Sequence, residues 1–158
     1  MRFIRYDRPR IPWVEIRELY FASGYNEFEP NPDLSEIENC QVILAMDGEK
    51  PAGFAIWRKY PDKDYGKVVG LAVVKSHQGT TLAWRLVKAM TRDASEAGAN
   101  RLCFAVHRLN TKFQRFVKKV GCPEYSQDDT YIFYYMPIID KTSNITKQND
   151  IQKGKVIL

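Results

Sequence analysis

A loop between an apolar run and a helix-like segment is the part of the sequence best suited to bind an anion. It reads Gln78-Gly79-Thr80-Thr81-Leu82-Ala83. The first turn of a helix leaves backbone N–H groups without acceptors, and the helix dipole adds positive charge there. Small residues let an anion approach the backbone, while Thr80 and Thr81 add hydroxyls and Gln78 adds an amide. The loop therefore predicts a phosphate or pyrophosphate site, with an ordinary capped helix as the alternative.

Two histidines and one cysteine are the other side chains with reactive groups near predicted element ends. His107 follows a predicted strand, and the ordinary pKa of a histidine suits a general base near neutral pH. His77 precedes the loop and is expected to face solvent or a phosphate. Cys122 is either a nucleophilic thiol or a small apolar filler, and a structural role is the alternative for His107 as well.

The three cysteines, Cys40, Cys103 and Cys122, are scattered and show no CxxC spacing. An odd number of cysteines without that spacing argues against a disulfide framework and against a zinc site. We therefore predict no metal site.

Charge is distributed unevenly along the chain, whose formal net charge is +5. Residues 24–39 contain five acids and no base, whereas residues 108–119 contain five bases and no acid. Each segment could form a charged binding surface, but each is equally typical of an ordinary solvated face. The basic helix lacks exposed aromatic residues between its charges, because Phe113 and Phe116 fall on the predicted buried stripe, so nucleic acid is a disfavoured partner.

Hydrophobic periodicity and turn residues predict the element order β-α-α-β-β-β-α-β-α-β. The predicted strands cover residues 2–6, 41–46, 52–60, 67–74, 101–106 and 130–138, with a short extra strand near 123–126. The predicted helices begin at Pro12 and after Asn31, and cover 80–97 and 111–120. The runs 67–74 and 101–106 are apolar enough to predict buried strands, the first buried on both faces. They enclose the long helix in a βαβ unit.

The composition predicts a folded protein in one piece. Of 158 residues, 44% are hydrophobic and 13% aromatic, which supports a core and excludes a disordered chain. The length favours a single domain, here residues 1–138, followed by a polar tail at 139–158. The longest apolar stretch, Val68–Val74, is too short to span a bilayer, and the N-terminus lacks a signal peptide's apolar segment. We expect a cytoplasmic protein without a membrane partner.

Residues 68–121 resemble the core of the GNAT superfamily of acetyl-CoA-dependent N-acyltransferases, and the element order extends the resemblance over 1–138. Members carry an Arg/Gln-x-x-Gly-x-Gly/Ala loop before the third helix, which residues 78–83 resemble. They also carry an Asn before a helix and a Gly after it, matched by Asn110 and Gly121. The resemblance implies an α/β GNAT fold: a mixed central sheet with a βαβ cofactor unit and flanking helices.

The resemblance implies acetyl-CoA, or another acyl-CoA, as cofactor and a small-molecule or protein amine as acceptor. The acidic segment is then a rim that concentrates a cationic amine, and the basic helix a dock for the 3′-phosphate end of CoA. The implied cofactor-binding residues are Leu71, Val73, Gln78, Gly79, Thr80, Thr81, Leu82, Ala83 and Asn110.

Four positions depart from the family pattern. Thr81 stands where the family usually has Gly, and Cys122 stands where it usually has Phe. Residues 66–73 contain no acid, although many members carry a Glu base there, and Val117 replaces the usual Tyr acid. His107 and Tyr125 are therefore the candidate catalytic residues. Tyr125 and the last-strand tyrosines are also candidates to line the acceptor cleft: Tyr131, Tyr134 and Tyr135. Strands favour aromatic residues in any case, so an ordinary place in the strand is the preferred alternative for these tyrosines.

Two functions fit these observations. The first is an N-acyltransferase with a diverged site. The second is a GNAT-fold protein without catalysis that serves as a structural or interaction module, since the stretch from Asn110 to Gly121 also resembles phage-encoded and virion-associated proteins. Under that second interpretation the location is the host cytoplasm or the virion. The tail at 139–158 is predicted to pack against a partner chain or a second copy.

Overall fold

The computed structural model describes residues 1–6, 10–28 and 39–138. The helices are α1 (Trp13–Ala22), α2 (Leu82–Glu96) and α3 (Thr111–Lys119), with short 3₁₀ turns at Tyr25–Glu27 and Lys75–His77. The strands are β1 (Arg2–Tyr6), β2 (Gln41–Asp47), β3 (Lys50–Lys59), β4 (Tyr65–Val73), β5 (Arg101–His107), β6 (Glu124–Gln127) and β7 (Tyr131–Pro137). The helix predicted after Asn31 and the tail at 139–158 lie outside the described residues. The other predicted elements are confirmed within a few residues of their ends.

The strands of the described residues form one mixed sheet in the order β1-β2-β3-β4-β5-β7-β6. The pairs β1/β2, β2/β3, β5/β7 and β6/β7 are antiparallel, whereas β4 and β5 are parallel. Parallel neighbours need a long crossover, and α2 supplies it between β4 and β5. The predicted βαβ unit is thus confirmed.

No helix of the described residues is long and apolar enough to cross a membrane.

The chain divides into two compact units. The first unit comprises Met1–Arg58 and Val68–Met90. Its β2 and β3 are buried on both faces: Leu44 and Phe54 pack in a cluster with Ile16 of α1, and Gly53 of β3 approaches Leu86 of α2 on the other face. Burial from both sides explains why β2 and β3 contain almost continuous runs of buried residues.

The second unit comprises Lys59–Lys67 and the chain from Thr91 onward. Its strands alternate: Leu102 and Val106 of β5 are buried, while Arg101 and Ala105 between them are exposed. The prediction that 101–106 is a buried strand is therefore correct for only one face of the sheet. An apolar run signals burial but does not say whether a helix covers one face or two.

The prediction that 67–74 is buried on both faces is wrong. Within β4 only Gly66, Ala72 and Val73 are buried, and the residues between Lys67 and Leu71 are half-buried. The parallel register of β4 and β5 covers three residue pairs, which end at Lys67 and Cys103. Among the described residues, most of β4 therefore has no partner strand along its β5-facing edge.

Candidate functional site

The loop that joins β4 to α2 has the backbone geometry of an anion site. Gly79 has φ of +79°, a left-handed conformation that favours glycine. A Cβ at this position would meet nothing within 4 Å, so the conformation and not a steric clash calls for glycine here. Gly79, Thr80 and Thr81 are all exposed. The loop therefore presents its backbone to solvent.

Thr80 caps the start of α2. Its Oγ1 accepts the N–H of Leu82 at 3.3 Å and donates to the carbonyl of His77. The N–H groups of Thr81 and Ala83 donate to no acceptor among the described residues. A helix start with unused N–H groups, next to the positive end of the dipole, favours a bound phosphate.

Thr81 fits this loop although the family usually has glycine there. No residue other than glycine has a positive φ among the described residues, so Thr81 causes no backbone strain. Its carbonyl accepts the N–H of Arg85 at 3.0 Å as part of the first helical turn.

Gln78 holds the loop in position. Its Nε2 donates to the carbonyl of Ser23 at the end of α1 and to the carbonyl of Val73 at the end of β4, each at 2.9 Å. An amide nitrogen has two hydrogens, and both are thus used within the protein. The structure therefore gives this side chain a positioning role. Leu71 is half-buried and Val73 is buried on the adjacent strand.

Asn110 and His107 shape the turn between β5 and α3. The Oδ1 of Asn110 accepts the N–H of Phe113 at 3.1 Å, so Asn110 is the N-cap of α3. The Nδ1 of His107 accepts the N–H of Leu109 at 3.1 Å, which in the neutral ring assigns the proton to Nε2. The ring also packs edge-on against Tyr131. The nitrogen that could act as a base is therefore engaged in the turn.

Cys122 does not have the environment of a nucleophile. Its side chain is buried, and burial raises the pKa of its thiol to about 12. Because the thiolate is the reactive form, a thiol with this pKa is inert near neutral pH. The apolar-filler interpretation fits this environment.

An unpredicted polar cluster precedes the loop. The Nε2 of His77 lies 3.0 Å from Oδ2 of Asp47, and its Nδ1 lies 3.0 Å from Oγ of Ser76. Asp47 is thirty positions earlier, at the end of β2, so no local sequence pattern could indicate this contact. Of the acidic segment, the structure describes Glu27, an exposed residue with its Oε1 3.8 Å from Nζ of Lys75.

An open cleft of about 560 Å³ lies in the second unit. Tyr125 and Tyr135 line it, whereas Tyr134 is buried on the opposite face of the sheet and stacks on Phe104. Alternation along β7 separates these tyrosines, and the buried Tyr134 has the ordinary strand role that was the alternative for it. Tyr131 is half-buried beside His107 and does not line the cleft.

Tyr125 is suited to donate a hydrogen bond in the cleft. The residue is 54% exposed. Burial of the hydroxyl, and next the adjacent Cys103, raise its pKa above the ordinary value, so the group stays protonated near neutral pH. The positive charge of Arg101 lowers the pKa of Tyr125 and so acts in the opposite direction.

The basic face of α3 is exposed to solvent: Lys112, Arg115, Lys118 and Lys119.

Comparisons with known proteins bear on this arrangement. A model of the Acetyltransferase (GNAT) family matches residues 12–122. The uncharacterized N-acetyltransferase YjcF of Bacillus subtilis (strain 168) is 32% identical over 108 residues, which is 67% of this chain and 72% of YjcF.

Solved structures share the fold at lower sequence identity. The PaiA N-acetyltransferase of Thermoplasma acidophilum, in complex with coenzyme A, superposes with a TM-score of 0.70 at 11% identity, covering 87% of this chain and 99% of that one. A GNAT family acetyltransferase from Elizabethkingia anophelis with acetyl-CoA bound has a TM-score of 0.68 at 14% identity, covering 86% and 97%. The predicted mixed α/β fold is confirmed.

Proposed function

The chain belongs to the acetyltransferase (GNAT) family, and on that premise we propose that it transfers an acyl group, most simply acetyl, from acyl-CoA to an amine. The observation that carries the proposal is the loop at 78–83, in which Gln78 fixes the backbone and the N–H groups of Thr81 and Ala83 face no protein acceptor among the described residues. In this proposal those groups and the helix dipole bind the pyrophosphate of CoA.

The half-buried edge of β4 is the second element of the proposed cofactor site. Beyond Lys67, β4 is not paired with β5 among the described residues. Backbone groups of Val68–Val73 can therefore receive the two amides of the pantetheine arm as an added strand would. This interpretation gives Leu71 and Val73 the cofactor role that the family resemblance implies.

The reaction then proceeds without an obvious protein acid or base. The amine nitrogen attacks the thioester carbonyl, the C–S bond breaks, CoA leaves as the thiolate, and the amine proton passes to solvent or to the thiolate. The usual Glu base is missing because β4 contains no acid. The usual Tyr acid is missing because position 117 is a valine, which is also buried. Each missing acid or base costs about 10²- to 10⁴-fold in rate, while the proximity of bound reactants still accelerates the step.

The direct test combines calorimetry with a thiol-release assay. We expect acetyl-CoA to bind in the micromolar range and an amine panel to release free CoA above the rate of buffer hydrolysis. No heat of binding with CoA at millimolar concentration would overturn the assignment of the phosphate loop.

The non-catalytic module remains the second candidate. The specific observation in its favour is the loss of both usual catalytic groups together with the engagement of His107 Nδ1 in a turn. CoA binding without turnover on any acceptor would support a non-catalytic module, whether or not that module is phage-associated. Turnover that depends on enzyme concentration would exclude it.

A further inference from the structure

Among the described residues, one face of the sheet in the second unit is open, and its side chains differ in character from those on the buried face. Side chains along a strand point alternately to opposite faces. On β5, Leu102 and Val106 are buried, whereas Arg101 and Ala105 are exposed and Cys103 is half-buried. The open face thus carries a cation, a thiol and a small residue in succession.

Strand register brings further side chains beside them. Tyr65 of β4 lies opposite Arg101, while Lys67 of β4 and Tyr135 of β7 lie on either side of Cys103. Residues directly opposite in neighbouring strands are close enough for their side chains to interact. These five residues all line the cleft of about 560 Å³. That volume lies within the range of about 300–1,000 Å³ that is typical of small-molecule sites.

Aromatic rings form one wall of the cleft. The ring centroid of Tyr125 on the edge strand lies 6.3 Å from that of Phe133 and 6.2 Å from that of Tyr135. Such spacings make a continuous apolar surface on which a flat or branched apolar group can pack. The hydroxyl of Tyr125 stays protonated near neutral pH and adds a donor at its border.

Positive charge forms the other wall. The Cζ of Arg101 lies 5.3 Å from the ring centroid of Tyr65, whose own ring packs edge-on against Tyr60 at 5.5 Å. A guanidinium held over a ring face keeps its in-plane N–H donors available for a carboxylate. Lys67 adds a second positive charge, and none of the described lining residues is Asp or Glu.

We propose that this cleft binds a small organic anion, with its carboxylate beside Arg101 and Lys67 and its apolar body against Tyr125, Phe133 and Tyr135. All of the lining residues lie in the second unit, whereas the loop at 78–83 lies in the first, so a binding test of this cleft does not rest on the proposed acyl transfer. A cationic ligand fits this lining poorly because Arg101 and Lys67 are both cationic and the described lining residues include neither Asp nor Glu. The charge pattern thus favours an anion over the cationic amine that the acidic segment suggested.

The test measures direct binding of 3-phenylpropanoate to the full chain by calorimetry at low ionic strength. Two matched probes vary only the charge: 3-phenylpropanamide is the neutral isostere, and phenethylamine is the cationic analogue. We expect the anion to bind at least tenfold more tightly than either, in keeping with charge-assisted hydrogen bonds to a guanidinium. Equal or weaker binding of the anion would overturn the proposal.

Variants locate the site. Arg101→Gln should weaken 3-phenylpropanoate binding at least tenfold. The matched control is Arg92→Gln, which removes the same charge at an exposed position on α2 outside the cleft. It should change the affinity by less than twofold. Tyr125→Ala should weaken binding severalfold, whereas Tyr125→Phe keeps the ring and most of the affinity. Circular dichroism checks that each variant is folded. Equal losses in Arg101→Gln and Arg92→Gln would show non-specific attraction and overturn the site.

Discussion

Individual side chains that the sequence marks for chemistry serve in the structure mainly to position backbone. Gln78 holds two carbonyls, Asn110 caps α3, and His107 accepts a backbone N–H in the preceding turn. These roles use hydrogen bonds that a sequence cannot show, since the carbonyl of Ser23 is 55 positions from Gln78. A polar residue near a site can therefore be required for its geometry without touching a ligand.

His107 provides the first prediction. Because its Nδ1 is used by Leu109, His107→Ala should leave kcat within about twofold at every pH, apart from any loss of folded protein. The rate should rise about tenfold per pH unit below the pKa of the acceptor, about 10.4 for a lysine-like amine, as that amine loses its proton. A thiol-release assay between pH 6.5 and 9.5 measures both. A plateau near pH 7 in wild type that disappears in His107→Ala would assign it as the base after all.

At the scale of elements, the start of α2 carries the second prediction. Ala83→Glu places a carboxylate beside the proposed pyrophosphate, while an acid in the first turn of a helix does not harm the helix itself. We expect the variant to fold and to lose the rise in melting temperature that acetyl-CoA gives by mass action.

The matched control is Ala97→Glu, at an exposed position just after the other end of α2. It should keep the full shift. Differential scanning fluorimetry with and without acetyl-CoA compares the two variants, and an undiminished shift in Ala83→Glu would place the anion elsewhere.

The contact of β3 with β4 and α2 carries the third prediction. A Cβ on Gly53 would lie 2.8 Å from the carbonyl oxygen of Ala72 and 3.1 Å from Cδ1 of Leu86. Backbone in the middle of a sheet cannot move aside, so Gly53→Ala should destabilise the protein by roughly 1–3 kcal/mol.

Gly70→Ala is the comparison, because its Cβ would meet the ring of Phe54 at 3.1 Å and Cδ1 of Ile56 at 3.8 Å, which is an ordinary van der Waals distance. A ring can rotate by a few tenths of an ångström, so this variant should stay within about 1 kcal/mol of wild type. Urea unfolding measures both free energies. A smaller loss for Gly53→Ala than for Gly70→Ala would contradict the close approach.

Most elements were predictable from periodicity and turn residues, and their burial was not. Val68–Val74 and 101–106 both contain long apolar runs, yet β4 is half-buried and β5 is buried on one face. Burial depends on which strands and helices are neighbours, which the local pattern does not encode. For the same reason the loop at 78–83, which is contiguous, could be located from sequence, whereas the aromatic cleft, drawn from strands up to about seventy residues apart, could not.

At the scale of the whole molecule, the segment beyond β7 carries the last prediction. Ile138 donates its N–H to the carbonyl of Asn100 at 2.8 Å, so a chain that ends at Ile138 keeps the last hydrogen bond of the described residues. Residues 139–158 include an apolar stretch, Val156–Leu158, that would gain by burial on another surface. We therefore expect the full chain to assemble with a partner or a second copy and the chain truncated after Ile138 to be a folded monomer.

Light scattering of the two proteins at equal concentration tests this expectation, with acetyl-CoA binding measured on both as the control for folding. The truncated protein should bind acetyl-CoA with unchanged affinity, because the loop at 78–83 and residues 68–73 of β4 lie in the first compact unit. Charge reversal at Lys153 and Lys155 in the full chain is the milder perturbation, and it should weaken assembly through an altered surface without removing the apolar residues. Identical monomeric masses for full-length and truncated protein, with no co-purifying chain, would show that 139–158 has no assembly role.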